Sequence, residues 1–331
     1  MSPRWEPNPD ICLGNHVVRN LHARLVFVTK YQREVFSDEI LTRCQATMWD
    51  VRESFGAELR DFNGEGDHLH LLPCEDQRME TTDHVKSLTD AGHLLATAAE
   101  QAGPGASVPT CPGWQVRNLL RHTGMVHRWA TAFVAEGHTS YHPDAGEPDL
   151  DSGELLDWFR EGHGLLVNAL ESASADLECW TFLPAPSPLA FWARRQAHET
   201  TIHRVDAESA RGGPVSPVAA GQALDGIDEL LRGFHARPKS RVRTDAPRTL
   251  RVRTTDTGDA WAVRLSSEPP QAVRESEADA HRAGSGDCEL SGTAEGIYLT
   301  LWNRLPLTAV TVTGDRGLAR LWCENSGVTW S

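Results

Sequence analysis

The chain has 331 residues, 40% of them hydrophobic and 24% charged, with a formal net charge of −14. That is the balance of a soluble globular protein, long enough for two or three domains. The acidic charge argues against a general nucleic-acid binder, and no run approaches the roughly 18 apolar residues of a membrane span. Seven scattered cysteines with no CxxC pair point to reduced thiols rather than a disulfide framework. The N-terminus lacks a basic start followed by an apolar core, so no signal peptide is expected. A cytoplasmic monomer is the resulting expectation.

Residues 1–78 contain two strand-like runs around one helix-like run. ARLVFVTKY (23–31) is apolar and β-branched. SDEILTRCQATMWDVRESFG (37–56) opens with Ser37 and carries apolar residues at helical spacing, which predicts a capped helix. AELRDFNGEGDHLHLLPCE (57–75) predicts a turn at Asn63-Gly64-Glu65-Gly66 and then a short strand, DHLHLL. His68 and His70 alternate in that strand, a plausible metal half-site on one face. Residues 75–86 are polar and hold the expected junction, and Met79 could be the original start of the helical part beyond it.

From 80 to about 237 the pattern is helical. Helices are predicted over 81–103, over 108–137 from about Trp114, over 152–173 opened by Ser152, and over 186–212 ended by Gly212-Gly213-Pro214. A fifth is expected over 217–237. Four long helices with connections of this length suit a bundle with a site among facing helices. After Pro238 the pattern changes. TLRVRTTD (249–256) and WAVRLSS (261–267) alternate apolar and polar around a Thr-Gly-Asp turn and predict a hairpin. A strand at 288–292, a helix at 293–304, a strand at 307–315 and a helix at 316–323 complete a small α+β domain.

The fourth helix carries Glu199 and His203, four apart and therefore on one face. A histidine on the second helix, His122, would complete three protein ligands and leave a fourth position open, the pattern of a catalytic zinc site. Glu-x-x-x-His alone is weak, because it arises by chance on exposed helices. Asp206, three past His203, can orient a ligand imidazole. His84 and His93 are expected to be helix-surface residues, His127 a surface residue or a support to a ligand side chain, His198 a surface or packing residue, and Cys111 a buried thiol rather than a nucleophile.

Two resemblances sharpen this reading. VFVTKYQREVF and FNGEGDHLHLL resemble the single-tyrosine, His-hydrophobic-His transposases of small insertion sequences over residues 20–74. That implies a partial ferredoxin-like α+β fragment, with His68 and His70 as its metal pair. The family's C-terminal half and its nucleophilic tyrosine are missing. The segment also carries 9 Lys and Arg against 13 Asp and Glu, so it is expected to be a truncated remnant. CPGWQVRNLLRHTGMVHRW, FWARRQAHETTIHRVDAESA and AEGIYLTLWNR, in this order, resemble the mycothiol-dependent maleylpyruvate isomerase family over about residues 80–325.

That second resemblance implies a DinB-like four-helix bundle at 79–237 and a small α+β domain at 238–331. It implies His122, Glu199 and His203 as zinc ligands, mycothiol as thiol cofactor, a small acidic substrate and a catalytic arginine placed at Arg304. In such an enzyme a metal-activated thiolate adds to a cis double bond, the single bond rotates, and elimination leaves the trans product; thiol transfer to another electrophile is equally compatible. The alternatives from other classes are an active DNA transposase and a non-catalytic DinB-like metal-binding protein.

Overall fold

The computed structural model describes residues 79–275 and 286–328 and, nearer the N-terminus, 25–28, 37, 39–44, 47, 57–65 and 68–75. The chain divides into two compact units, Met1–Arg78 and Met79–Ser331.

In the first unit, β1 (Leu25–Val28), β2 (Ala57–Glu65) and β3 (His68–Glu75) form one sheet in the order β1-β3-β2, with β3 antiparallel to both neighbours. Residues 39–44 and 47 are helical, and the Ile40 N–H donates to Ser37 Oγ at 3.4 Å, as the expected cap requires. The turn predicted at 63–66 does not begin at Asn63. Asn63 and Gly64 lie in the ladder opposite His70 and Leu69, because pairing with β3 claims their backbone groups. Completion of a ferredoxin-like arrangement, and the metal pairing of the His68 and His70 side chains, fall outside the described residues.

The second unit begins with four long helices: α1 (Thr81–Ala102), α2 (Val116–Glu136), α3 (Ser152–Ser172) and α4 (Pro188–Arg211). Their ends follow local chemistry. Ser187 accepts from the Ala190 N–H, and Pro188 occupies the first turn of α4. Gly137 closes α2 in the left-handed conformation, at φ 67°. Each helix packs mainly on two others, α1 on α4 and α3, and α2 on α3 and α4. Leu88, Leu95, Leu119, Phe133, Leu155, Phe159 and Leu166 are fully enclosed between them.

The fifth predicted helix is present in two parts, α5 (Ala220–Asp228) and a π turn, Glu229–Phe234. Beyond it lies a small mixed sheet in the order β6-β5-β4-β7-β8. Its strands are β4 (Arg248–Thr254), β5 (Ala260–Leu265), β6 (Gln271–Glu275), β7 (Cys288–Gly292) and β8 (Thr311–Gly314). The β4–β7 pair is parallel and the other pairs antiparallel. The predicted hairpin is β4–β5, with Gly258 at φ 82° in its turn. Leu250, Val252, Trp261, Val263 and Leu265 face inward with strand period. On the other face Arg251 and Arg253 pair with Glu275 and Glu289.

Helices α6 (Ala294–Leu301) and α7 (Arg316–Asn325) follow β7 and β8 respectively. One apolar core runs from Leu88 and Trp192 through Leu230 and Tyr298 to Trp322, so the helices and the sheet share a buried interior. Among the described residues, no helix is long and apolar enough to cross a membrane.

Candidate metal centre

Helix α4 departs from the amphipathic pattern of a surface helix. From Phe191 to Glu208 nearly every residue is buried, including Arg195, His198, Glu199, His203, Arg204, Asp206 and Glu208. Burying charges is unfavourable unless each is paired, and here the pairs are made. Glu208 accepts from Arg204, from the Ser216 N–H and from the Ser216 hydroxyl. A helix this polar at the centre of the unit is carrying something other than packing.

The sequence-predicted trio converges there. Glu199 Oε1 lies 3.2 Å from His203 Nε2 and 3.5 Å from His122 Nε2. One donor atom from each of the three residues falls within 4.8 Å of the others. His122 reaches the group from α2, two turns into that helix. Trp114, in the Pro-Gly loop before α2, packs on both imidazoles, with ring centroids 5.2 Å from His122 and 6.2 Å from His203.

Asp206 lies one turn beyond His203 and accepts from its Nδ1 at 2.8 Å. The same carboxylate accepts from Arg304 at 2.9 Å and 2.8 Å through Nε and Nη2. It also accepts from Thr110 Oγ1 at 2.6 Å and from the Cys111 thiol at 3.3 Å. Arg304 Nη1 donates to the Trp302 carbonyl. Most of the guanidinium fork is therefore committed to Asp206 and to backbone. Thr110 and Cys111 belong to the same entry loop as Trp114, a contact across nearly the whole helical part that no local pattern announces.

The electrostatics favour positive charge at this point. Burial would push Glu199 toward its neutral form, but His122 and His203, with the Arg195 charge, outweigh that and hold it well below the usual carboxylate range. Burial opposes protonation of His203, yet Asp206 and Glu199 raise it to about 9. Burial and then the neighbouring Asp206 charge push the Cys111 thiol up to about 12, so Cys111 is a hydrogen-bond donor here rather than a nucleophile.

His84, expected at the helix surface, is buried instead, because the packed helices cover the face that carries it; of the two expectations open for His127 and His198, the surface one fails for the same reason. His127 is fully buried and bonded to Thr200 Oγ1 at 2.8 Å. His84 and His198 are buried beside Asp225; only His93 is exposed, as expected. Asp225 Oδ1 accepts from His198 Nε2 and from Arg194 Nε, both at 2.7 Å, with His84 Nε2 at 3.7 Å and Tyr298 OH facing His198 Nδ1 at 3.2 Å. A cation entering this second cluster would sit against the fixed charge of Arg194. The cluster is therefore a hydrogen-bonded joint between α1, α4, α5 and α6.

Arg304 also lines a cavity of about 440 Å³, together with Thr110, Ser209, Thr293, Glu295 and Leu305 among others; His122, Glu199 and His203 are not among its lining residues. It has the size of a small-molecule site and mixes apolar walls with a few polar groups.

Comparison with known proteins fits this architecture. Residues 85–208 match the family model described as the mycothiol maleylpyruvate isomerase N-terminal domain, and residues 222–321 match that of the MDMPI C-terminal domain. Residues 17–96 match a third family model, described as IS200-like transposase. Among solved structures, the chain is similar to a histidine-to-alanine variant of the mycothiol-dependent maleylpyruvate isomerase. The identity is 13% and the TM-score 0.50, over 71% of this chain and 93% of that one. The unmodified form of the same enzyme gives a TM-score of 0.48 at the same identity and coverage. No curated protein gives a significant match.

Proposed function

The chain belongs to the mycothiol-dependent maleylpyruvate isomerase family, and from that premise we propose that it is a metal-dependent enzyme using a low-molecular-weight thiol, mycothiol, on a small unsaturated acid. The observation that carries this reading is the convergence of His122, Glu199 and His203 on one point. Two imidazoles and a carboxylate are a donor set for zinc, and three protein ligands leave a position for a reactant. The residues fit a metal in a second respect. His203 Nδ1 is engaged by Asp206, so Nε2 is the nitrogen turned toward Glu199 and His122, the arrangement by which a carboxylate orients a ligand imidazole.

A divalent ion held there would lower the pKa of a thiol and keep it as thiolate, the form that adds reversibly to an activated cis double bond. The rest is the work of this chain's own side chains. Asp206 fixes His203 through Nδ1 and is itself fixed by Arg304. Trp114 covers the two imidazoles with an apolar ring and limits water at that side. The cavity next to Arg304 offers room for an acidic substrate. Arg304 meets a substrate carboxylate through the N–H that Asp206 and the Trp302 carbonyl leave open, or by exchanging Asp206 for it.

The N-terminal segment, in this reading, is a transposase remnant. The chain has three tyrosines, Tyr31, Tyr141 and Tyr298. Tyr31 precedes the histidine pair, and Tyr298 is buried in the other unit beside His198. None stands where a nucleophile would follow His70 on a helix.

Metal content of the purified protein, beside that of His203→Ala and His68→Ala, tests the proposal. About one zinc per chain, lost in His203→Ala and kept in His68→Ala, is the expected result and would direct assays to thiol-dependent isomerisation. Metal kept in His203→Ala and lost in His68→Ala would move the chemistry to the N-terminal segment. Absence of metal in every form would leave a non-catalytic protein.

A further inference from the structure

Arg195, Glu199 and His203 stand four apart on α4 and form one stripe along it. Glu199 uses its two oxygens differently. Oε1 faces His203 Nε2 and His122 Nε2, whereas Oε2 accepts from Arg195 Nη2 at 3.1 Å. The Arg195 side chain has no exposed surface, and its Nη1 donates to Oε2 of Glu229, which is also buried.

The way Glu229 arrives is specific. It opens the π turn Glu229–Phe234, and the Arg195 guanidinium carbon lies 4.9 Å from the centroid of the Phe234 ring. Glu229 and Phe234 are five apart. On an α-helix of about 3.6 residues per turn such positions diverge by roughly 140°. In a turn closed by i→i+5 hydrogen bonds they lie one above the other, and here both reach the same guanidinium. The wide turn presents a carboxylate and an aromatic ring together to one buried arginine. Hydrophobic residues of similar volume would fill this space without three buried charges, so the arrangement calls for a reason other than stability.

We propose that Arg195 and Glu229 are positioning residues of the metal centre, a reading that rests on the function proposed above. The Glu229–Arg195 pair holds Oε2 of Glu199 away from the point of convergence, so the carboxylate presents Oε1 alone. A one-oxygen ligand suits a four-coordinate ion with one position open to a reactant. Released from Arg195, the carboxylate can turn and offer both oxygens, the mode that larger, more highly coordinated ions take, and the second oxygen then competes for the open position.

Cobalt(II) tests this in the full-length protein, because its visible absorption distinguishes four-coordinate from higher coordination. Wild type, Arg195→Lys and the charge-neutral pair Arg195→Met with Glu229→Gln are compared for cobalt affinity, by competition with a chelator, and for the spectrum of the loaded form. The double variant is expected to bind about ten- to a hundred-fold more weakly and to lose the intense four-coordinate bands. Arg195→Lys, which keeps the charge but not the fork, is expected to fall between. A folded double variant with wild-type affinity and spectrum overturns the proposal. Should that variant fail to fold, Arg195→Lys decides in the same way. Wild type that takes up no cobalt would instead overturn the metal centre itself.

Discussion

One carboxylate, Asp206, joins His203 to Arg304: its Oδ2 lies 2.8 Å from His203 Nδ1 and 2.8 Å from Arg304 Nη2. These residues come from the long helix α4 and from the segment after α6, so a residue of the sheet-bearing part reaches the candidate ligand through a single side chain. Burial alone would raise the Asp206 carboxyl, but Arg304 and His203 hold it far below the usual carboxylate range.

Asp206→Asn is therefore expected to loosen two contacts at once. An amide can accept at one oxygen only, and its NH₂ group would face donors. Metal affinity should fall about ten- to a hundred-fold, read by chelator competition, with the circular-dichroism spectrum retained. Wild-type affinity in that variant would show that His203 does not depend on Asp206 for its orientation.

The joint around Asp225 makes a prediction about packing. Gly226 lies on α5 against Tyr298 and His198; a methyl group there would come within 2.3 Å of Tyr298 Cε2 and 2.9 Å of His198 Cε1. Both rings are fully buried, so neither can swing into solvent. Gly226→Ala should cost about 1–3 kcal/mol, measured by urea unfolding. An unchanged midpoint would mean that α5 and α6 can separate without loss.

Much of the fold was legible because its helices and strands keep their periods. The 3.6-residue spacing in α1 and α2 and the alternation of β4 and β5 each reflect a face turned to the core, and Gly212 marked the end of α4. What escaped had no such face. Strand β6 lies at the sheet edge, and its central Val273 is exposed, so QAVRE carries no alternation. Helix α4 is buried on all sides, which erases amphipathicity and hides how deep His198 and Arg195 lie. The Glu199–His203 pair was readable from spacing, since both sit on one helix. The partners Thr110, Cys111 and Glu229 come from other elements, and only assembly brings them in.

Stability should depend on pH through His235. It is buried against Trp322, with ring centroids 4.6 Å apart, and its Nδ1 lies 3.0 Å from Ser240 Oγ. Burial, with the nearby charges of Arg237 and Arg243, lowers it to about 4. The unfolded chain titrates near 6.5 and so binds more protons between these values. The contribution of the neutral histidine is complete above about pH 6.5 and is lost as pH falls toward 4. Between pH 7 and 5 the loss is about 2 kcal/mol. His235→Phe, which keeps the ring contact, should flatten that part of the stability–pH curve. A variant curve parallel to wild type would show that His235 is not held neutral in the folded state.

Removal of residues 1–78 should leave the second unit intact. Met79–Ser331 is compact by itself, and the start of α1 is secured from within it, where the Glu80 N–H donates to Asp83 Oδ2 at 3.1 Å. All residues of the candidate centre lie beyond this point, as do Arg195, Glu229 and Arg304. A chain beginning at Met79 is therefore expected to match the full-length protein in metal per chain and in thermal midpoint, and His68→Ala is expected to change neither. A truncated chain that came out metal-free and aggregated would show that the N-terminal segment belongs to the working fold, and would end its reading as a remnant.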